Sequence, residues 1–168
     1  MTLPTVTLRP YLPDDAGTAA DIFRASIMDL TGEDYSPSQQ EAWAASADDE
    51  QAFGKGLEAC LTLFALIDGD PVGFASLKDN RHIEMLYVHP GAAGMGVGGA
   101  LIDALEKLAA ARGSTELTVD ASETALLFFE GRGYEAQRRN TVMRNGEWFA
   151  NTTMKKALGT PPAKKVTS

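Results

Sequence analysis

From Val88 to Leu101 the chain reads Val-His-Pro-Gly-Ala-Ala-Gly-Met-Gly-Val-Gly-Gly-Ala-Leu. A strand-like run leads into this glycine-dense stretch, and an amphipathic helical pattern leads out of it. Glycine lets backbone N–H groups converge on an anion, and the start of a helix adds partial positive charge. A phosphate or pyrophosphate is the ligand such a turn suits; a tight turn with close helix packing is the other use of the same glycines. A Walker phosphate loop is excluded, because Gly98-Gly99-Ala100 stands where Gly-Lys-Ser/Thr is needed. Gly94-Met95-Gly96-Val97-Gly98-Gly99 formally satisfies the dinucleotide fingerprint G-x-G-x-x-G. That fingerprint follows its strand directly, whereas here Pro90 and its neighbours intervene after Val88.

The elements around this loop follow from periodicity. Thr5-Val6-Thr7-Leu8-Arg9 alternates as a strand. Asp14 is read as the cap of a first helix with Ala19, Ile22, Phe23, Ile27 and Leu30 on its apolar face. Ser36 caps a second helix with Pro37 at its first position, and a third covers about residues 48–59. Leu61–Ile67 and residues 72–77 form a hairpin around Asp68-Gly69-Asp70, followed by a strand over 81–88. A helix over 97–112 carries Leu101, Leu105 and Leu108 inward, with Asp103 and Lys107 as an outward pair. A strand over 116–119, a helix over 122–131 and strands over 134–138 and 141–155 follow, the last around Asn145-Gly146. This order predicts one α/β domain over residues 1–168 with a mixed sheet. Its first strands are antiparallel, and the pair joined by the 97–112 helix is parallel. Residues from about 157 to 168 are expected to fray.

Composition narrows the chemistry. The 168 residues include 15 Lys and Arg against 23 Asp and Glu, a net charge of −8. A nucleic-acid partner gripped through its phosphates would need a basic face instead. Cys60 is the single cysteine, and His82 and His89 are the two histidines, so no disulfide or metal site is expected. No apolar run approaches the roughly 20 residues that span a bilayer. The expected setting is the cytoplasm, with no membrane partner.

Leu86-Tyr87-Val88-His89-Pro90 and Gly94-Met95-Gly96-Val97-Gly98-Gly99-Ala100-Leu101 together resemble the coenzyme A pyrophosphate motif of the Gcn5-related N-acetyltransferases (GNAT). Gly96 and Gly98 occupy the motif's glycine positions. Ala93 replaces its Gln/Arg, and Met95 replaces a common basic residue, leaving backbone donors as the main phosphate ligands. Residues 122–134 resemble the family's later helix and its ending, and the resemblance covers about residues 3–156. Tyr35-Ser36, Gln40, Trp43-Ala44 and Trp148–Met154 resemble a bacterial YafP-like subgroup.

The resemblance implies a mixed, mostly antiparallel sheet flanked by helices, with a central splayed parallel strand pair. It also implies acetyl-coenzyme A as cosubstrate, an amine acceptor and direct attack without a covalent enzyme intermediate. Pantetheine would lie between strands 81–88 and 115–119, against the backbone of Leu86, Tyr87 and Val88. The pyrophosphate would sit over Ala93, Gly94, Met95, Gly96, Val97, Gly98 and Gly99. Ser122 and Phe129 would stand near the thiol; Phe129 occupies the position of a frequent family tyrosine and cannot give a proton. Ser122, Tyr134 or water are then the candidate acids.

Glu84 is the candidate general base, on the strand that feeds the loop. Alternation puts it on the face of Leu86 and Val88, opposite Ile83, Met85 and Tyr87. A solvated carboxylate or an ion pair with Arg81 is its ordinary alternative. Tyr35, Trp43, Trp148 and Phe149 are candidates to wall an apolar acceptor pocket, or simply to pack. The expected function is N-acetylation of a small-molecule amine. A protein amine as acceptor, a non-catalytic acyl-coenzyme A sensor and, more distantly, a nicotinamide oxidoreductase are the alternatives. A homodimer is allowed.

Overall fold

Seven strands form a single sheet in the order β1-β2-β3-β4-β5-β7-β6 in the computed structural model, which describes residues 2–159. The strands are β1 (Val6–Pro10), β2 (Leu61–Ile67), β3 (Asp70–Lys78), β4 (His82–Val88), β5 (Glu116–Ser122), β6 (Glu135–Arg144) and β7 (Glu147–Ala157). Every neighbouring pair is antiparallel except β4 and β5. The helix between those two is α4 (Val97–Ala111), as a parallel crossover requires. Three helices precede the hairpin, α1 (Ala16–Leu30), α2 (Pro37–Ala44) and α3 (Glu50–Glu58), and the short α5 (Leu126–Gly131) follows β5. No helix among the described residues is long and apolar enough to cross a membrane.

The sheet separates two cores. On one face Leu101, Ile102 and Leu105 of α4 pack with Ala75, Leu77, Ile83, Leu117 and Phe129. Complete burial of each such aliphatic side chain contributes about 1.5–3 kcal/mol. On the other face Phe23, Ile27, Trp43, Phe53 and Phe149 gather around Phe64 and Phe74. Three hydrogen bonds, two at α2 and one from Tyr35 just before it, fix this segment to the β6–β7 hairpin. Gln39 Nε2 donates to Trp148 O at 2.7 Å, Asn145 Nδ2 to Ala42 O at 2.7 Å, and the Tyr35 hydroxyl to Ala150 O at 3.1 Å.

Several local expectations change in the structure. Asp14 is not the cap of α1. A single 3-10 turn over Pro13–Asp15 precedes the helix, and the Asp15 carboxylate instead holds Arg9 and the Leu12 N–H. Ser36 does cap α2, accepting from Gln39 N, while the Gln39 side chain accepts from Ser36 N at 2.8 Å. Asp103 pairs with Arg132 of the loop after α5, not with Lys107. Ser122 ends β5, opposite Asn151, and α5 begins only at Leu126. Near the end, β7 continues through Ala157, and Leu158 N donates to Thr115 O at 2.9 Å. The rest of the tail expected to fray, residues 160–168, lies outside the described residues.

Candidate active site

The glycine loop is shaped by backbone conformations that side chains disfavour. After β4, Pro90–Ala92 make one 3-10 turn, with His89 Nδ1 accepting from Gly91 N at 3.0 Å. Gly94 and Gly96 then take φ of +79° and +82°, the left-handed region that glycine enters without a Cβ penalty. Gly96 is the N-cap of α4 and offers no side-chain cap, so the first-turn N–H groups face outward unsatisfied. A cavity of about 440 Å³ opens here. Ala93, Gly94, Gly96, Val97, Gly98 and Gly99 line it, with Leu86 and Val88 continuing down β4. A Cβ on Gly94 or Gly96 would meet nothing within 4 Å, so the space above them is open. Met95 does not line this cavity; it packs, partly buried, on the α4 core. Phe128 does line it, and a Cβ on Gly98 would come within 3.3 Å of its ring.

Beyond the loop the parallel strands part. Their pairing holds only at His82↔Thr118 and Ile83↔Val119. Past that point the backbone on the β5 side of β4 has no strand partner. Its direction follows from the neighbouring ladder, because His89 N donates to Val72 O at 2.8 Å. Antiparallel pairs alternate between bonded and non-bonded, so 87/74 and 85/76 are the bonded pairs of β3 and β4. The N–H and C=O of Leu86 and Val88 therefore point into the gap. Those of Tyr87 face β3, and its ring packs, partly buried, on the other side of the sheet, where its hydroxyl accepts from Trp43 Nε1 at 3.2 Å.

Glu84 is a bulge. Ser76 pairs with Met85 and Leu77 with Ile83, leaving Glu84 opposite nothing on β3. The extra residue resets the alternation, so Ile83 shares the α4 face with Leu86 and Val88, contrary to simple alternation. The Glu84 side chain, 42% exposed, borders a second cavity of about 60 Å³ with Leu86, Asp120, Ser122, Ala125 and Phe129. Its polar neighbour is His82 rather than Arg81: His82 Nε2 lies 4.0 Å from Glu84 Oε1 and 3.9 Å from Asp120 Oδ2. His82 Nδ1 is 2.7 Å from Thr118 Oγ1, which fixes the ring. Asp120 Oδ1 accepts from Thr153 Oγ1 at 2.7 Å.

A third cavity, also about 60 Å³, is walled by Tyr35, Trp43 and Phe149, with Asp120, Ser122 and Arg144 at its polar side. Trp148 is not part of it; its side chain is 57% exposed on the neighbouring strand face. The three cavities run in series. The first and second share Leu86 and Ala125, and the second and third share Asp120 and Ser122.

The hydroxyls and the thiol divide sharply. Tyr134 donates to Glu106 Oε2 at 2.8 Å, and Lys156 Nζ holds the same carboxylate at 2.9 Å. Burial, then Glu106, pushes the Tyr134 pKa well up, so its proton is committed there. Burial likewise raises Tyr87 and Cys60, the latter with a further push from the Glu84 charge. Ser122 Oγ accepts from Ala125 N at 3.1 Å, which leaves its own proton free to donate. His82, Asp120, Phe128 and Arg144 were not singled out by sequence reasoning. For Asp120 the signal existed, since Thr118, Asp120 and Ser122 alternate with the buried Leu117, Val119 and Ala121. For Arg144 there was none.

The comparisons with known proteins identify the family and the fold. The family model "Acetyltransferase (GNAT) domain" matches residues 31–158. The uncharacterized N-acetyltransferase YafP of Escherichia coli (strain K12) is 35% identical over 150 residues, covering 89% of this chain and 95% of that one. A crystal structure from Rhodopseudomonas palustris, described as "GCN5-Related N-acetyltransferase: Aminotransferase, Class-II", is 61% identical with a TM-score of 0.92. That match covers 94% of this chain and 99% of the other. The PaiA N-acetyltransferase of Thermoplasma acidophilum, in complex with coenzyme A, shares the fold at 19% identity with a TM-score of 0.76, covering 91% and 99%. With the family model spanning most of the chain and the loop, gap and strand order in place, this protein belongs to the GNAT family of acetyl-coenzyme A-dependent N-acetyltransferases.

Proposed function

We propose that the chain transfers the acetyl group of acetyl-coenzyme A to the amine of a small molecule, by direct attack in the gap between β4 and β5. The observation that carries this reading is the serial arrangement of the three cavities. An open cavity of about 440 Å³ at a helix start leads to a strand gap, and the gap leads to an aromatic-walled pocket. The residues present fit the cosubstrate. The uncapped first turn of α4 and the open space over Gly94 and Gly96 suit its pyrophosphate. The gap-facing N–H and C=O groups of Leu86 and Val88 suit the pantetheine amides, as an added strand would.

The acceptor amine, entering past Tyr35, Trp43 and Phe149, meets the thioester beside Ser122 and Glu84. Glu84 takes one proton from the arriving ammonium, directly or through one water, with His82 extending the route outward, and the freed lone pair forms the new bond to the carbonyl carbon. The carbon–sulfur bond breaks, and the thiolate takes the nitrogen's second proton, relayed through Ser122 or water, so that Ser122 ends with its proton restored. Phe129, 2% exposed beside the gap, shapes the thiol end and moves no proton. The narrow third cavity favours a slender amine over a broad protein surface. In this reading one domain, residues 1–168, does the whole reaction in the cytoplasm, where Cys60 stays a thiol.

Thermal-shift titration with coenzyme A, acetyl-coenzyme A and NAD, followed by thiol release against a panel of small amines, tests it. The reading expects stabilisation by both coenzyme A species, none by NAD, and release of coenzyme A with at least one amine. Binding of acetyl-coenzyme A without amine-dependent release would leave a sensor in place of an enzyme.

A further inference from the structure

Among the described residues Arg144 is half-buried and unpaired, which separates it from the other arginines; Arg81, Arg112 and Arg138 hold no carboxylate, but all three are exposed. Arg9, Arg24, Arg132 and Arg139 each hold a carboxylate, Asp15, Asp21, Asp103 and Glu123 respectively. Arg144 makes no side-chain hydrogen bond and no ion pair among the described residues, although Glu147 is its cross-strand partner. It is not an exposed surface cation either. Its guanidinium carbon lies 5.9 Å from the Trp43 ring centre and 5.5 Å from that of Phe149. Those two rings wall the third cavity, and Arg144 lines it with them. Stacking on aromatic faces fixes the plane of a guanidinium and leaves its edge N–H groups free. A rigid, partly desolvated fork with unused donors matches a carboxylate or phosphonate in two-point contact. In a chain of net charge −8, it is also a local positive site that such an anion could enter.

We propose that the acceptor carries an oxyanion group, a carboxylate or phosphonate, in addition to its amine, and that Arg144 binds that group. The inference rests on the acceptor reading of the third cavity given above. The cavity is then polar at two ends. Arg144 takes the anion, and the carboxylates of Asp120 and Glu84 lie toward the amine, which arrives protonated. The aromatic walls hold the stem between them. Arg144 acts by binding and orienting the acceptor and takes no part in proton transfer. Its loss therefore raises KM for the matched acceptor while the turnover of bound acceptor changes little.

The test uses matched pairs at two spacings: phenylalanine against phenethylamine, and 4-(aminomethyl)benzoate against benzylamine. 4-(Aminomethyl)phenylphosphonate separates the two oxyanions. In the wild-type enzyme at least one anionic member should exceed its neutral partner in kcat/KM by about 10-fold or more, the value of a charge-assisted contact. Arg144→Gln should lower kcat/KM for the anionic member by about 10-fold more than for its neutral partner, through KM, and Arg144→Lys should restore part of that difference. Equal use of anionic and neutral amines, or an Arg144→Gln loss common to both, overturns the inference and leaves the acetyltransferase reading standing. Acetyl-coenzyme A binding with no turnover of any member overturns the small-amine reading and this inference with it.

Discussion

Gly73→Ala should damage cosubstrate binding from beneath α4, although Gly73 lines no cavity described above. Gly73 sits on β3 opposite Val88, beneath the start of α4. A Cβ there would lie 2.9 Å from Val97 Cγ1 and 3.1 Å from Tyr87 O. The first distance is about 0.6 Å short of the roughly 3.5 Å at which carbon atoms rest in contact. Val97 cannot easily turn away: it is 2% exposed, and a helical valine has one strongly preferred rotamer. Tyr87 O is main chain held in the β3–β4 ladder. The strain must therefore lift the first turn of α4, the turn proposed above to hold the pyrophosphate. Overpacking of this kind costs about 1–3 kcal/mol, against about 0.4–1 kcal/mol returned by the stiffer unfolded chain. The net loss of about 1–2 kcal/mol lowers Tm by about 2–8 °C at this chain length. Acetyl-coenzyme A affinity, measured calorimetrically, should fall about 10-fold, as for one weakened charge-assisted contact. Gly56→Ala is the control of opposite sign. It lies inside α3 with nothing within 4 Å of the new Cβ, and should stabilise by about 0.5–1 kcal/mol. A Gly73→Ala protein with wild-type Tm and wild-type affinity would refute the argument.

Glu84→Gln should retain acetyl-coenzyme A affinity and lose about 10²-fold or more in turnover with alkylamines. The loss should shrink at high pH, where free amine is abundant, and a flat wild-type profile would remove Glu84 from proton transfer. Phe129→Tyr should fold, and turnover should hold or rise; a folded variant with much slower turnover would contradict the place given to Phe129 beside the thiol. Tyr134→Phe removes one hydrogen bond to Glu106, which keeps Lys156. It should cost about 1 kcal/mol in denaturant unfolding with activity per folded molecule unchanged; a large loss of kcat would return Tyr134 to the list of acids.

The elements that the sequence made legible are those whose signal is local. Leu61–Ile67 is an apolar run closed by a glycine turn, and β2 has those bounds. Ser36-Pro37-Ser38-Gln39 encodes a capping box in four residues, and α2 starts there. The glycine loop was legible because its residues are consecutive. What failed depends on partners. The face of Glu84 required knowing that β3 skips it. The end of β5 at Ser122 required β7, since Ser122 pairs with Asn151 and cannot begin a helix. Phe128 and Phe129 are adjacent, and only the rotation of α5 decides which one meets the glycine cavity and which meets the gap. Arg144 was hidden because an arginine in a hairpin reads as solvated; its meaning comes from Trp43, a hundred residues earlier.

The bulge at Glu84 links the shape of the gap to its chemistry. A bulge bends its strand and increases the local twist. The parallel pairing of β4 with β5 ends at Ile83, one residue before it. The strand that leaves β5 there carries Leu86 and Val88 with their backbone groups free. The residue at the bend is a carboxylate that lines the space so created. On a regular strand Glu84 would sit opposite a β3 residue, and β4 would have no local cause to diverge from β5. The departing strand would then offer its polar backbone to a neighbour instead of to an amide ligand. In the proposed reaction, shape and proton acceptor thus depend on one inserted residue. Glu84→Gln should therefore leave the gap and the cosubstrate site intact. Deleting residue 84 should restore strand pairing and abolish acetyl-coenzyme A binding as well as turnover.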